Sequence, residues 1–187
     1  ESRALATFRH PNIVRVSRFF EANGTAYMVM DYVQGRTLNQ WVRERNDAID
    51  RTTLLAIVKP LLDGLQVVHD GGFLHRDIKP ANICIRDDGT PVLLDFGAAR
   101  RYHDAEHTLT AIVTPGFAPF EQYHSHGNQG PWTDIYSLAA VMYWLVTGQR
   151  PVESAARVHN DPLRPAAKAA DAAIFGASLL RAIDWAL

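Results

Sequence analysis

The chain has little of three things that would assign it to a particular environment: cysteine, net charge and long apolar runs. Its 187 residues include one cysteine, Cys84, so no disulfide can form within the chain, and this is typical of proteins from a reducing compartment. The formal charge is -1, which gives no reason to expect nucleic-acid or membrane-surface binding. The longest apolar stretch, residues 135–146, is too short to span a bilayer. We therefore expect a cytoplasmic segment without membrane contact.

The rest of the composition is that of an ordinary globular protein. Hydrophobic residues make up 47% and charged residues 21% of the chain, which excludes a disordered protein. The length suggests one domain with a sizeable core. Because the chain begins with Glu1 and not with methionine, we expect it to be a piece of a longer protein. Composition does not indicate an oligomeric state.

Chemically useful side chains are concentrated in HRDIKPANI, residues 75–83. Asp77, Lys79 and Asn82 place a carboxylate, an amine and an amide within six residues of one another. Apolar residues precede and follow them, so we expect a loop between two short strands. Loops held by rigid flanks often carry catalytic residues, and this loop is the first candidate site.

A second acidic residue, Asp95, follows the apolar run 92–94 and the turn-rich residues 86–90. This pattern predicts a hairpin that brings Asp95 back towards Asn82. Oxygen-bearing side chains of this kind suit a hard cation such as Mg²⁺, which also binds phosphate oxygens.

Taken together, these motifs resemble those of the protein kinase family, with HRDIKPAN as the catalytic loop and Asp95-Phe96-Gly97 as the metal-binding motif. The resemblance implies an α+β, two-lobed kinase-like fold. Residues 1–33 would be the remainder of the small lobe, with the end of a helix, two strands and the hinge. Residues 34–187 would be a mostly helical large lobe, truncated at its C-terminus.

The resemblance also implies how the site works. Asp77 would orient a protein hydroxyl and accept its proton, and Lys79 would balance charge on the transferred phosphate. Asn82 and Asp95 would hold Mg²⁺ on ATP, and the Thr114 hydroxyl would bridge Asp77 and Lys79. The position of Lys79 is typical of serine/threonine kinases, so the expected partner is a protein with a serine or threonine acceptor.

Nucleotide-binding residues are likewise expected from the resemblance. Met30 would be the gatekeeper, and the backbone of Asp31 and Val33 would hydrogen-bond the adenine edge. Cys84 would lie under the adenine ring as a buried strand residue. Glu1 falls at the position of the family glutamate that pairs with a lysine of the third strand, and that lysine is absent from this chain.

The resemblance also implies supporting or regulatory roles for other residues. His75, Phe96 and Gly97 belong to the two motifs. Arg76 and Arg100 would capture a phosphate on Thr108 or Thr110 in the activation segment.

Two acids are expected to support the large lobe. Glu121 closes the substrate-docking element TPGFAPFE, residues 114–121, where Phe120 replaces the usual proline. In the family Glu121 pairs with an arginine beyond Leu187, so we expect it to lack that partner here. Asp134 would cap a buried helix over residues 134–147, and the resemblance implies that it reaches back to the His75-Arg76 turn.

A rival interpretation is a non-catalytic kinase-like fragment or pseudokinase that binds or regulates a partner. No Gly-x-Gly-x-x-Gly motif and no third-strand lysine occur in the chain, and both belong to the kinase machinery. Small-molecule phosphotransferases fit less well, because they lack the Lys79 position and the docking element.

Outside the motifs, periodicity predicts the remaining elements. Strands are expected over residues 13–20 and 26–30, joined by a turn at Asn23-Gly24. Helices are expected over residues 1–10, 38–45 and 51–69, with a kink or restart at Pro60, and as alanine-rich segments within 166–187.

Overall fold

The fold begins with a two-stranded antiparallel hairpin. In the computed structural model, which describes residues 8–45, 47–101, 113–124 and 127–187, strand β1 (Val16–Ala22) pairs with β2 (Thr25–Met30). Asn23 and Gly24 connect them, and both have positive φ angles, 52° and 70°. Such a turn matches the natural twist of a hairpin, as the Asn-Gly pair predicts. The first strand, however, starts at Val16, three residues later than expected, because Ile13 instead forms an isolated bridge with Leu93.

Two small sheets frame the loop that carries the motif residues. Strands β3 (Arg36–Thr37), β5 (Ile83–Ile85) and β6 (Pro91–Leu93) form a three-stranded sheet in the order β3-β5-β6. Strand β4 (Phe73–Leu74) pairs antiparallel with β7 (Arg100–Arg101). The predicted hairpin over residues 83–94 is confirmed, since β5 and β6 pair with Ile83 opposite Leu93.

Six α-helices lie in the described part of the chain. They are α1 (Leu38–Glu44), α2 (Arg51–Asp70), α3 (Pro131–Thr147), α4 (Ala166–Ala169), α5 (Ala172–Phe175) and α6 (Ala177–Ala186). Helix α2 begins at the cap Asp50, whose carboxylate accepts the Thr53 N–H at 2.8 Å. It continues through Pro60 without the restart that the proline suggested. Of the helix expected over residues 1–10, only residues 8–10 are described, and these are not helical.

The core lies between α2, α3 and the sheet. Buried apolar side chains on one face of α2 meet a helix α3 that is buried around most of its circumference, with Val58, Leu61, Leu65, Leu138 and Val141 all at most 3% exposed. Helix α3 starts at Pro131, three residues before the expected start. Proline is tolerated there because the first helical N–H groups need no intrahelical partner. Asp134 therefore lies inside the first turn, and the prediction that it caps the helix is wrong.

The turn before β1 connects the β1-β2 hairpin to strand β6 of the three-stranded sheet. Asn12, which is 7% exposed, donates its side-chain N–H to the Pro91 carbonyl at 2.7 Å. The Val14 N–H donates to the Leu93 carbonyl at 2.9 Å. A division into lobes at residue 33 stays a prediction. No helix in the described ranges has the length and apolar character needed to cross a membrane.

Candidate active site

The backbone of residues 75–77 is fixed by an acid from the buried helix. Asp134 is 0% exposed, and its two carboxylate oxygens accept the His75 N–H at 2.9 Å and the Arg76 N–H at 2.8 Å. Arg76 has a φ of 69°, a left-handed conformation that is unfavourable for a residue with a side chain. The buried carboxylate thus stabilises a backbone conformation that is otherwise unfavourable.

The Asp77 carboxylate is the point where the site residues converge. Its Oδ2 atom accepts hydrogen bonds from Lys79 Nζ at 2.7 Å and from Asn82 Nδ2 at 2.8 Å. Its Oδ1 atom accepts the Thr114 hydroxyl at 3.0 Å. Lys79 Nζ also lies 3.2 Å from Thr114 Oγ1, so Thr114 contacts both Asp77 and Lys79, as the resemblance implied. The carboxylate side chain remains 20% exposed, which leaves it accessible to a substrate.

Asn82 and Asp95 are brought near each other by the β5-β6 hairpin. The Leu94 N–H donates to the Asn82 carbonyl at 2.8 Å, so Asp95 directly follows the residue paired with Asn82. Asn82 Nδ2 also donates to the Asp77 backbone carbonyl at 2.9 Å. Since this nitrogen faces Asp77, the Oδ1 atom is the part of the amide left for a cation. Asp95 is exposed, and its backbone has a φ of 62°. The Asn82 amide oxygen and the Asp95 carboxylate are the kinds of ligand that suit Mg²⁺.

His75 joins the loop to the segment that follows Asp95. Its ring is 0% exposed, and its Nε2 atom lies 2.8 Å from the Leu94 carbonyl oxygen. The ring of Phe96 packs edge-on against it, with centroids 4.8 Å apart. Burial lowers the pKa of His75, and the nearby Asp134 carboxylate opposes that shift. A neutral ring is therefore favoured in the folded chain. Gly97 lies in the same short 3-10 helix, Phe96–Ala98.

The proposed hinge follows β2 without regular structure. Met30, the last residue of β2, pairs with Val16, and the Asp31 N–H donates to the Arg15 carbonyl at 2.9 Å. The Asp31 carboxylate accepts the Ser17 hydroxyl at 2.7 Å, while Val33 is partly buried.

Cys84 lies in the central strand of the three-stranded sheet, next to the hinge. It is 3% exposed, and burial raises the pKa of its thiol. A Cβ atom added to Gly35 would lie 2.8 Å from Cys84 Sγ, so the backbone just after the hinge passes directly over this side chain. The buried strand position expected for Cys84 is confirmed.

The docking element is attached to helix α3. Glu121 accepts the Thr133 hydroxyl at 2.8 Å, so it has a hydrogen-bond partner within the chain in place of the arginine expected beyond Leu187. Phe120 begins a 3-10 helix, Phe120–Tyr123, and remains 43% exposed. The phenylalanine that stands in place of the usual proline therefore places its aromatic ring at the surface and not in the core.

Several expected site residues lie outside what the structure describes. Glu1, Thr108 and Thr110 are not among the described residues, and for Arg100 only the backbone, in β7, is described. Arg76 Nη1 lies 3.4 Å from the Ala98 carbonyl oxygen. Capture of a phosphate by Arg76 and Arg100 stays a prediction.

Two site residues were not found from the sequence. His69 lies in the last turn of helix α2, and its Nε2 atom lies 2.8 Å from Asp134 Oδ2. Gln122 donates its side-chain N–H to the Arg76 carbonyl at 2.7 Å. Neither residue lies in a pattern that predicts such a contact, because each bond joins segments far apart in the chain.

Comparison with known proteins agrees with the motifs. A family model described as protein kinase domain matches residues 1–171. The chain is 35% identical over 153 residues to serine/threonine-protein kinase PknL of Mycobacterium tuberculosis, covering 81% of this chain and 38% of that protein. It is 37% identical over 158 residues to serine/threonine-protein kinase PknA of the same species, covering 81% and 36%.

A solved structure shows the same similarity in three dimensions. The chain described as PpkA-294 apo form has a TM-score of 0.80 and 40% sequence identity, and the match covers 100% of this chain and 65% of that one. The present chain thus spans well under half the length of the two curated relatives and about two thirds of the solved structure. The fold expected from the sequence, a kinase-like α+β architecture, is confirmed.

Proposed function

This chain belongs to the protein kinase family, and from that membership we propose that the protein carrying it transfers the γ-phosphoryl group of ATP to serine or threonine hydroxyls of protein substrates. One observation carries the proposal: Lys79, Asn82 and Thr114 all donate hydrogen bonds to the Asp77 carboxylate. Such a carboxylate is fixed in direction by its donors, as a group that orients a hydroxyl must be.

In the proposed reaction Asp77, Lys79 and Thr114 have separate roles. Asp77 accepts a hydrogen bond from the substrate hydroxyl and then its proton. Lys79 Nζ, 2.7 Å from the Asp77 carboxylate, places a positive charge where phosphate oxygens approach. Thr114 holds the docking element against both groups. Phosphoryl transfer needs positioning and charge balance more than covalent chemistry from the protein, and these residues supply both.

The family uses ATP with Mg²⁺, and the donor set of this chain fits the metal. Asn82 Oδ1 and the Asp95 carboxylate would hold it. When bound, Mg²⁺ neutralises charge on the phosphate oxygens. On the nucleotide side, backbone groups of Asp31 and Val33 would bind the adenine edge, with Met30 and Cys84 beside the ring. The cytoplasmic location expected from the sequence stays a prediction, as do the identities of the protein substrates.

The direct test is transfer of label from γ-labelled ATP by the complete protein. Peptide libraries with serine, threonine or tyrosine as acceptor would serve as substrates. We expect labelling of serine and threonine peptides, and a loss of at least about a hundredfold in Asp77→Asn, because the general base is removed. Asp63→Asn is the matched control, since Asp63 is exposed on α2 and contacts none of the site residues named above.

Two results would contradict the proposal. Equal labelling by wild type and Asp77→Asn would remove Asp77 from the reaction. No labelling by the wild type, with ATP and Mg²⁺ present, would favour the alternative of a non-catalytic, kinase-like binding module. Preferential labelling of tyrosine peptides would correct the acceptor class alone.

A further inference from the structure

Gln122 makes a buried contact that the proposed mechanism does not use. The residue is 3% exposed and lies in the 3-10 helix Phe120–Tyr123. Its Nε2 atom donates to the Arg76 carbonyl at 2.7 Å, whereas its Oε1 atom is buried without a hydrogen-bond partner among the described residues. Rotating the amide would place two oxygens against each other, so the contact requires the nitrogen as a donor. The amide orientation that makes this bond leaves the Oε1 atom buried without a partner, which is costly in free energy.

The bond fixes the peptide plane that leads into Asp77. The Arg76 carbonyl and the Asp77 N–H belong to one planar unit. Gln122 holds the carbonyl, and the Asp77 N–H points to His75 Nδ1 at 3.3 Å. The preceding plane is held by Asp134, which accepts the Arg76 N–H at 2.8 Å. Both planes around the left-handed Arg76 are thereby restrained, and the direction of the Asp77 side chain follows from them.

Gln122 also belongs to the segment that contacts Asp77 from its other side. Thr114, eight positions earlier, donates its hydroxyl to the Asp77 carboxylate. One segment therefore contacts both the carboxylate and the backbone behind it. We propose that Gln122 is a positioning residue, which sets the orientation of Asp77 and couples it to the docking element. This inference rests on the proposed kinase function.

The first variant is Gln122→Met, which keeps the length and approximate volume of the side chain but removes the donor. We expect kcat to fall about tenfold, because small displacements of a reacting group are costly in rate. The KM for ATP should stay within about twofold, since Gln122 does not contact the hinge. A smaller folded fraction would also lower the apparent kcat without changing KM, so kcat is expressed per mole of folded enzyme and compared with a control of matched stability.

A second variant, Gln122→Glu, provides a pH-dependent test. Its carboxylic acid can donate to the Arg76 carbonyl only when it is protonated, whereas the carboxylate would face that oxygen with a like partial charge. The kcat of Gln122→Glu, divided by that of the wild type at the same pH, should therefore rise as the pH is lowered. The same ratio for Gln122→Met should stay flat.

Ser154→Ala is the matched control. Ser154 is 7% exposed, and its hydroxyl donates to the Ala118 carbonyl at 2.9 Å. It thus makes the same type of buried bond, from a side chain to a backbone carbonyl, and the bond involves the segment that contains Gln122 but not residues 75–77. Its Tm should fall by an amount similar to that of Gln122→Met, while its kcat should stay within about twofold of the wild type.

Amide hydrogen exchange at residues 75–79 gives a readout that does not depend on activity. Exchange should be faster in Gln122→Met than in Ser154→Ala when the two are matched for global stability. Equal kcat values in the two variants, or equal exchange at residues 75–79, would overturn the role of Gln122. If the wild type transfers no phosphate, the proposed function fails, and the exchange comparison alone still decides whether Gln122 positions Asp77.

Discussion

Replacing Asp134 with asparagine should release the loop of residues 75–77 from helix α3. The carboxylate is fully buried and has three contacts: the N–H groups of His75 and Arg76, at 2.9 and 2.8 Å, and His69 Nε2 at 2.8 Å. Asparagine keeps the shape but has one oxygen, so its NH₂ group must face at least one N–H donor. The variant therefore loses one accepted bond outright and weakens the others by removing the charge.

The magnitude follows from these contacts. A hydrogen bond to a charged group contributes about 1.5 to 3 kcal/mol, and a buried N–H left without an acceptor costs about 1 to 3 kcal/mol. Asparagine offsets part of this loss, because it is less costly to bury than a carboxylate. We expect the free energy of unfolding to fall by about 3 to 5 kcal/mol, as when one partner of a buried ionic contact is removed. That is a large part of the roughly 5 to 15 kcal/mol typical of a domain.

Urea unfolding of the complete protein, followed by tryptophan fluorescence, measures the change as a shift in midpoint. Asp50→Asn is the matched control, because Asp50 also accepts a backbone N–H, from Thr53 at 2.8 Å, but does so as a helix cap. Asparagine caps as well as aspartate, so that variant should leave the urea midpoint close to that of the wild type. If Asp134→Asn costs less than about 1 kcal/mol, the buried carboxylate does not hold the loop and the reasoning is refuted.

Two further predictions concern Gly35, just after the hinge, and His75 of the loop. Gly35→Ala should lower stability by about 2 to 3 kcal/mol, because Gly35 has a φ of 154° and an added Cβ would collide with the Ile85 carbonyl oxygen. Gly24→Ala, with a φ of 70° and open space around it, should cost only about 1 kcal/mol, and equal losses in thermal unfolding would refute the collision. Burial lowers the pKa of His75 in the folded chain, so on acidification the unfolded chain binds a proton before the folded chain does. The contribution of His75 to the free energy of unfolding should therefore be complete above about pH 6.5 and be lost as the pH falls towards the folded-state pKa. His75→Phe should reduce this slope and the exposed His159→Gln should not, so parallel curves for wild type and His75→Phe would exclude His75 as its source.

Local sequence signals predicted the elements around the site well. The Asn23-Gly24 turn, the β5-β6 hairpin and helix α2 all depend on neighbours in the chain, which are visible in the sequence. The boundaries that were wrong, at Val16 and Pro131, are those where a distant contact or a tolerated proline decides where an element begins.

The composition and motifs by themselves determined the family, the loop that carries Asp77, Lys79 and Asn82, and the expectation of a second acid at Asp95. They could do so because the chemistry requires these residue types at short, fixed spacings. The resemblance already implied that Asp134 reaches back to the His75-Arg76 turn. Only the tertiary structure decided that it does so from inside its helix, that Glu121 contacts Thr133, and that Gln122 holds the peptide before Asp77. These contacts join residues that are between 12 and 59 positions apart, and packing of the whole domain, not local propensity, sets such distances.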